Sequence, residues 1–423
     1  MLIEFSVSNF RSFRERQTFQ MTASPRLGKK ENTFEAVVTG EKLPRLLKVA
    51  AIYGGNASGK TSLLRAMSIC ATLTGHKDGV STWSEGTISP FRFDPELVDK
   101  PSEFEWNFVT QKCRYQFKLA ATQDRIFEET LIAYPRGKES LLYRRTLKDG
   151  IDVYEFGPTF EADEALRSVW QRLTGPRITF IRQAVSNSSE ELRQLRVPLA
   201  WLQVGLLVID DGLKQFSNIG RNLIAKKHWA SSMSSFLQEI DVPVTDIQTE
   251  EYQNSELKSD KAASEKGKAE SRLFVRAGKT TLTHETRLGV AKFDFSEESR
   301  GTQNLIGVFF PWQFLQRTAG ADDDFVTLAI DEFDASLHPV IVEDLVRKKI
   351  ESPACTQLIF TTHDTHLMSA KLLRRDQFWL TDRNANGATR LSSIYDYAGR
   401  EGEDVERRYF EGLYRGLPIR RRG

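Results

Sequence analysis

The chain has 423 residues, of which 40% are hydrophobic and 27% charged; this composition predicts a full core over about two or three structural units and excludes a wholly disordered chain. Its 59 basic and 57 acidic residues leave a formal charge of +2, which excludes a global field for nucleic acid, so any DNA binding must use local patches. The three cysteines have no paired spacing, so we expect neither a disulfide framework nor a cysteine-rich zinc site, and the reducing cytoplasm is the expected compartment. The sequence shows no signal peptide and no run of about 18 apolar residues, so no membrane span is expected.

The first predicted elements are short strands at residues 2–7 and 17–22, which flank a turn that reads Asn-Phe-Arg-Ser-Phe at 9–13. A nearly continuous apolar run at 46–53 then predicts a buried parallel strand, because both faces of such a strand are covered. Helical apolar spacing follows at 62–74, after a glycine-rich stretch. The order is therefore strand, glycine loop, helix.

The middle of the chain changes pattern twice. Short alternating runs from 103 to about 156 predict an antiparallel sheet, whereas residues 160–240 return to helical spacing, for example at Leu206 and Ile209. Residues 250–272 are mostly polar with interspersed lysine and glutamate, which predicts a mobile surface loop.

The glycine-rich stretch has the pattern of a phosphate-binding loop. Its glycines let backbone N–H groups point at phosphate oxygens, Lys60 reaches the β and γ phosphates, and the Thr61 hydroxyl meets Mg²⁺. The following helix adds a positive N-terminus that favours anions. The predicted nucleotide-binding residues are Gly54, Gly55, Asn56, Ala57, Ser58, Gly59, Lys60, Thr61 and Ser62.

Two further apolar strands, at 325–330 and 357–361, end at polar residues, where ligands bind in doubly wound sheets. Asp331 and Glu332 follow the first strand, so one carboxylate can hold Mg²⁺ while the other faces an attacking water. His363 follows the second strand and can hydrogen-bond the γ-phosphate. We therefore expect Lys60, Glu332 and His363 to be catalytic, and Thr61 and Asp331 to bind the metal.

As a set, these motifs resemble the ABC-type ATPase heads of the SMC and RecF families. Within that superfamily, the strings NFRSF, GGNASGKT, AIDEFDASLHP, FTTHDTHL and LRRDQFWLTD resemble small bacterial ATPases of the RloA, AbiLii and PARIS type, with matches from residue 8 to about 382. The resemblance implies an α/β fold, in which a P-loop parallel sheet and an antiparallel β subdomain are interrupted by a mainly helical insert. The implied domains are 1–160, 161–290 and 291–423.

The resemblance also implies roles for residues outside the two central motifs. Asn9 and Arg11 are expected near the nucleotide, and residues 298–303 form a variant signature motif in which Ser299 and Gly301 contact the γ-phosphate held by a second copy. ATP would then be hydrolysed between two subunits. One departure is that ABC ATPases normally place a glutamine after the first helix to contact Mg²⁺ and the water, whereas no glutamine occurs from Thr61 to Thr110.

The expected biological role follows from the same resemblance. The sequence lacks long heptad arms and only about 40 residues follow Asp382, so an effector is expected on a separate chain. The ATPases that it resembles belong to phage-defence or abortive-infection operons. The leading hypothesis is therefore a cytoplasmic, homo-oligomeric ATP-dependent sensor and scaffold, responsive to a phage-derived trigger, that controls a toxin or nuclease encoded nearby.

Two alternatives remain open at this stage. A RecF-like DNA repair ATPase would need a basic surface, for which the candidates are the pair at 348–349, the pair at 374–375 and the tail at 420–422. A scaffold that binds ATP without turnover is favoured by the absent glutamine and disfavoured by Glu332.

Overall fold

A computed structural model describes residues 1–75, 84–188, 192–210, 227–249, 279–316, 327–369, 371–400, 402–414 and 416. The predicted mobile loop at 250–272 and the basic tail at 420–422 lie outside the described residues. The chain divides into two compact units, of which the first comprises Met1–Asp210, Leu315–Phe333 and Glu343–Gly423. The second unit comprises Asp211–Phe314 and Asp334–Val342.

The described elements comprise strands of two to nine residues and helices of four to seventeen. The strands are β1 Leu2–Ser8, β2 Gln17–Gln20, β3 Thr33–Phe34, β4 Leu46–Leu47, β5 Val49–Gly54, β6 Ser102–Thr110, β7 Cys113–Ala121, β8 Ile126–Tyr134, β9 Ser140–Lys148, β10 Ile151–Phe156, β11 Leu206–Ile209, β12 Val244–Thr249, β13 Thr280–Thr286, β14 Gly289–Asp294, β15 Thr327–Ile330, β16 Gln357–Thr361, β17 Phe378–Arg383 and β18 Thr389–Ser393. The helices are α1 Lys60–Thr74, α2 Glu164–Leu173, α3 Phe180–Ser186, α4 Arg193–Ala200, α5 Lys227–Glu239, α6 Arg300–Gln316, α7 Pro339–Glu351, α8 His366–Ser369 and α9 Val405–Phe410.

A seven-stranded antiparallel sheet has the order β10-β9-β8-β7-β6-β1-β2 and confirms the sheet predicted from the alternating runs. Aromatic side chains at alternate positions form its buried face. Trp106 pairs with Phe117 across the strands and its ring lies 5.3 Å from that of Phe5. Burial of these large rings supplies much of the hydrophobic stabilisation of the first unit.

A six-stranded sheet has the order β11-β15-β16-β5-β17-β18, and all neighbouring pairs are parallel except β17 and β18. The predicted strand at 46–53 divides into two, because Leu46–Leu47 pairs with β3 in another sheet before β5 begins at Val49. Lys48 lies at the break and donates its ammonium to Ile350 O and Ser352 O at 2.5 and 2.9 Å. The carboxyl ends of β5, β15 and β16 point the same way, as the placement of the polar motifs predicted.

One part of the helical prediction is wrong. Residues Leu206 to Ile209 form β11, which runs parallel to β15 with Leu206 opposite Thr327 and Ile209 opposite Ile330. The cause is that a four-residue apolar run fits either a buried helix or a buried strand. Here the run becomes a strand because it pairs with β15. Helices α2, α3 and α4 precede β11, so the helical prediction is confirmed at 164–173, 180–186 and 193–200.

In the second unit, β12, β13 and β14 form an antiparallel sheet, and α5 packs on α6 through aromatic rings. The ring centroids of Trp229 and Phe310 are 5.1 Å apart, and those of Phe236 and Phe309 are 5.4 Å apart. The region predicted as a helical insert therefore also contains strands. Among the described helices, none combines the length and the apolar character that crossing a bilayer requires.

Candidate functional site

The phosphate loop connects β5 to α1, and two of its glycines occupy positions that no other residue fits. Gly54 has φ +153° and Gly59 has φ +114°. A Cβ added to Gly54 would lie 2.3 Å from Thr381 Oγ1, and one added to Gly59 would lie 2.3 Å from Thr389 Oγ1. These contacts press the loop against β17 and β18, so the loop is shaped by strands from the far end of the chain.

Hydroxyl groups reinforce that support. Ser58 Oγ lies 2.6 Å from Thr381 Oγ1, while Thr389 Oγ1 lies 2.7 Å from Ser58 O and 2.8 Å from Ser12 Oγ. Thr389 N–H also donates to Ser12 O at 2.7 Å. These bonds hold the loop backbone against β17, β18 and the turn at Ser12, and a loop held in this way can present its N–H groups to phosphate oxygens.

Lys60 starts α1 and is buried within the loop. Its ammonium donates to Gly54 O at 2.9 Å and to Gly55 O at 3.2 Å, so the side chain curls back along the loop. An ammonium held against carbonyl groups at the positive end of a helix provides a local site for an anion.

The buried Asp331 carboxylate is held at both oxygens by hydroxyl groups. Thr61 Oγ1 donates to Asp331 Oδ2 at 2.6 Å, and Thr361 Oγ1 donates to Asp331 Oδ1 at 2.5 Å. Because the Thr61 proton is directed at Asp331, the lone pairs of the Thr61 oxygen remain available to a metal. One hydroxyl and one carboxylate, completed by substrate phosphates and water, form the donor set that Mg²⁺ prefers over an all-protein cage.

Among the described residues, no group of three or more His, Cys, Asp or Glu side chains could hold a metal alone. The Thr61 hydroxyl and the Asp331 carboxylate, which lie 2.6 Å apart, suit a magnesium ion bound together with phosphate and are the groups that would hold it.

Glu332 has a left-handed backbone, with φ +50°, and an exposed side chain. That conformation is strained for a residue with a Cβ and persists only where the surroundings fix it. Here Glu332 N–H donates to Thr361 Oγ1 at 2.8 Å. Asp331 is therefore buried whereas Glu332 is exposed, and both residues line a cavity.

That cavity has a volume of about 460 Å³ and lies over the phosphate loop. The predicted residues that line it are those from Asn56 to Ser62 together with Asp331, Glu332 and the exposed His363. Ser12 and Arg383 also line it, although sequence reasoning assigned no role to either. Ser12 stands inside the quoted NFRSF string, and Arg383 directly follows the quoted LTD, so both were adjacent to a recognised signal.

Asn9 and Arg11, which the resemblance places near the nucleotide, do not line this cavity. The Asn9 amide donates to Leu97 O and Lys100 O at 2.9 Å and its carbonyl accepts from Phe91 N–H, so it braces a loop and does not line the cavity. Arg11 likewise is absent from the cavity lining. Burial lowers the pKa of the Arg11 guanidinium, and the nearby Arg65 lowers it further.

Ser299 and Gly301 lie in the second unit, at the start of α6. Ser299 Oγ accepts from Thr302 N–H at 3.1 Å, which caps the helix. A Cβ added to Gly301 would lie 2.7 Å from Ser336 O, and Asn304 Nδ2 donates to Ala335 O at 2.8 Å. The helix start is therefore packed closely on the loop that follows the carboxylate pair in sequence.

The basic pairs considered for DNA contact are mostly interior. Lys349, Arg374 and Arg375 are buried, with exposed fractions of 0%, 3% and 5%. Arg374 pairs with Asp376, and the partly exposed Lys348 pairs with Asp344 at 3.2 Å. These side chains hold the fold together and do not form a basic surface.

A phosphate loop between a buried parallel strand and a helix, a carboxylate pair at the end of a second parallel strand, and an antiparallel sheet in the same unit define the class. The first unit is therefore a mixed α/β domain of the P-loop nucleotide-binding class. More particularly, the chain belongs to the family described as AAA domain, putative AbiEii toxin, Type IV TA system, whose model matches residues 49–369.

Solved structures with a similar arrangement include an SMC head bound to the C-terminal winged-helix domain of ScpA, with 12% identity, 93% of this chain and 97% of that chain covered, and a TM-score of 0.41. The SMC head domain from Thermotoga maritima has 13% identity, 93% and 98% coverage and a TM-score of 0.39. The recombination mediator RecF with ATP has 14% identity, 86% and 94% coverage and a TM-score of 0.34. No curated protein matches the chain.

Proposed function

We propose that the chain binds ATP with Mg²⁺ and hydrolyses it to ADP and phosphate. The observation that carries this proposal is the geometry of the carboxylate pair. Asp331 is fixed by Thr61 at 2.6 Å, while Glu332 projects into the cavity that the phosphate loop lines. A buried, oriented carboxylate suits a metal, and an exposed one suits a water.

Each group then has a defined task. Lys60 and the loop N–H groups bind the β and γ phosphates. Thr61 and Asp331 would hold Mg²⁺, which would supply positive charge to the phosphate oxygens. Glu332 accepts a proton from the attacking water, and His363 donates a hydrogen bond to the γ-phosphate. The resemblance to ABC-type heads adds Ser299 and Gly301 of a second copy, so an ATP-bridged dimer would be the active form.

The test is phosphate release and ATP binding by wild type, Glu332→Gln and Lys60→Ala. We expect Glu332→Gln to retain ATP in a multimer and to lose turnover by about 100-fold or more. Lys60→Ala should weaken ATP binding by about 10- to 100-fold, because a hydrogen bond to a charged group is lost. Glu351→Gln makes the same chemical change at an exposed glutamate at the end of α7 and should behave as wild type.

We propose further that turnover is slow or depends on a partner, because the glutamine that ABC ATPases usually place after the first helix is absent from this sequence. Wild type should therefore be assayed alone and with its genomic neighbour, with GTP beside ATP. Binding of ATP without turnover in every condition would favour the non-hydrolysing scaffold and would remove Glu332 from its catalytic role.

For the biological role, we propose a sensor and scaffold subunit of a bacterial anti-phage, abortive-infection system that controls a separate toxin or nuclease. Support comes from the motif resemblance to RloA, AbiLii and PARIS-type ATPases and from the family description, which names a toxin and a type IV toxin–antitoxin system. Co-purification with the neighbouring gene product in ATP, ADP and nucleotide-free conditions tests it. No complex in any condition, or toxicity of this chain expressed alone, would contradict control of a separate effector.

A RecF-like repair role is the second candidate. It needs a basic DNA-binding surface, but Lys349, Arg374 and Arg375 are committed to interior contacts. Salt-sensitive DNA binding that requires ATP and no neighbour would favour this role; salt-insensitive weak binding would argue against it.

A further inference from the structure

We infer that Thr361 is a positioning residue that holds both members of the carboxylate pair in their working geometry, an inference that rests on the proposed ATPase function. Thr361 is the last residue of β16 and is fully buried. It bonds three consecutive residues: its hydroxyl donates to Asp331 Oδ1 at 2.5 Å and accepts from Glu332 N–H at 2.8 Å, and its carbonyl accepts from Phe333 N–H at 3.1 Å.

The hydroxyl can make both of its bonds at once, because it has one proton to donate and lone pairs to accept. The donated bond leaves Asp331 with each oxygen fixed, one by Thr361 and the other by Thr61. These two bonds restrict rotation of the carboxylate and keep Asp331 Oδ2 beside the Thr61 oxygen, where a metal would be held.

The accepted bond acts on Glu332 through its backbone. A glutamate at φ +50° needs a partner that secures this conformation, and the two bonds from Thr361 to consecutive N–H groups at 332 and 333 do so. The backbone from which the Glu332 side chain projects is consequently fixed. His363 lies two residues beyond Thr361, so the end of β16 determines the positions of Asp331, Glu332 and His363.

The chemistry singles out the hydroxyl. Valine has nearly the same shape but neither donates nor accepts, so Thr361→Val leaves Asp331 Oδ1 and the Glu332 N–H without their partner. Serine keeps the oxygen and should keep the function. Thr327 provides a matched control, because it is a fully buried threonine at the opposite end of β15, where its hydroxyl donates to Gln357 Oε1 at 2.9 Å.

The experiment measures ATP turnover, and Mn²⁺ affinity by electron paramagnetic resonance with a non-hydrolysable ATP analogue, for wild type, Thr361→Val, Thr361→Ser and Thr327→Val. We expect Thr361→Val to lower turnover and Mn²⁺ affinity by about 10- to 100-fold, the usual effect of removing a group that orients a metal ligand. Thr361→Ser should restore both, and Thr327→Val should change neither.

Wild-type turnover and Mn²⁺ affinity in Thr361→Val would overturn the inference, as would an equal loss in Thr327→Val. If Thr361→Val does not fold, Thr361→Cys replaces it, since a thiol is a weaker partner and should give a loss between those of serine and valine. A wild type that binds Mn²⁺ but never hydrolyses ATP contradicts the proposed hydrolysis alone, and the Mn²⁺ affinities still decide the role of Thr361. A wild type that binds neither ATP nor Mn²⁺ overturns both.

Discussion

The hydroxyl of Thr389 packs so closely on Gly59 that an added Cβ would lie 2.3 Å from its oxygen. The positive φ of Gly59 adds a conformational penalty for any side chain at this position. Gly59→Ala should therefore push the phosphate loop away from β18 and weaken ATP binding by about tenfold or more, since backbone N–H groups that face phosphate would be displaced. Titration with a fluorescent ATP analogue checks this.

Gly150→Ala is the control for that variant. Gly150 also has a positive φ, of +80°, but nothing lies within 4 Å of an added Cβ. It should cost about 1 kcal/mol of stability through backbone strain and leave ATP binding unchanged. Equal ATP affinity in Gly59→Ala and wild type would show that the loop does not depend on its contact with Thr389.

Arg383→Ala tests a cavity residue that sequence reasoning did not assign. Arg383 is exposed at the end of β17 and lines the cavity above the phosphate loop. We expect KM for ATP to rise about tenfold with little change in kcat, because a contact made equally in the ground and transition states is lost. Arg144→Ala, an exposed arginine paired with Glu155, should leave both constants unchanged. A fall in kcat without a change in KM would instead place Arg383 in the chemical step.

The buried Lys349 should make the free energy of unfolding depend on pH. Burial lowers the pKa of Lys349 to about 7, and the nearby Lys48 contributes to the shift. From about pH 7 to about pH 10 the unfolded chain holds a proton at this site that the folded chain has released, so this group makes the free energy of unfolding rise with pH. The slope approaches about 1.4 kcal/mol per pH unit.

Lys349→Met removes that proton uptake. The difference in free energy of unfolding between wild type and variant, measured by urea denaturation from about pH 6 to about pH 9, should shift toward wild type as pH rises. Lys348→Met, beside it on α7 and paired with Asp344, should give a difference that varies little with pH. A flat difference for Lys349→Met would mean that Lys349 stays protonated in the folded protein.

Substitution of Glu129 should lower the free energy of unfolding more than substitution at most other positions of the first unit. Its buried carboxylate accepts from Tyr143 OH and Phe180 N–H, both at 2.6 Å, and lies 4.0 Å from the Arg145 guanidinium. Burial raises the pKa of Glu129, yet three donors and a cation face it. Glu129→Leu leaves the three donors without their acceptor and Arg145 without one of its two carboxylates, and should cost about 3 kcal/mol or more in thermal or urea unfolding.

Two comparisons sharpen that result. Glu129→Gln keeps one acceptor oxygen and should cost less than Glu129→Leu. Glu128→Ala, next to it in β8 but only partly buried, should fall within about 0.5 kcal/mol of wild type. A small loss in Glu129→Leu would mean that Tyr143 and the start of α3 find other partners.

The phosphate loop and carboxylate pair could be predicted because their chemistry is local in sequence. The strand, loop and helix order around Lys60 and the placement of Asp331 after β15 depend on a few consecutive residues. Thr361 and Thr389 could not be found in the same way. A threonine carries no signal of its own, and its role here comes from strand pairing that brings distant hydroxyls to one place.

The error at residues 206–209 has the same origin. Leu206 to Ile209 read as helix because a short apolar run has no diagnostic period, and its pairing with β15 was invisible in sequence. The hydrogen bonds of the Asn9 amide could not be predicted either, because its acceptors are backbone carbonyls of a loop about 90 positions away, a separation that no local pattern reveals.

The residues that hold the phosphate loop in place are synthesised long after the loop itself. Ser58 accepts from Thr389 across 331 positions, and Thr61 meets Asp331 across 270. A nascent chain that has not reached β18 thus holds the loop sequence without the side chains that shape it. Since a ligand stabilises only the form that binds it, we expect nucleotide to favour the folded state only after β18 has been synthesised.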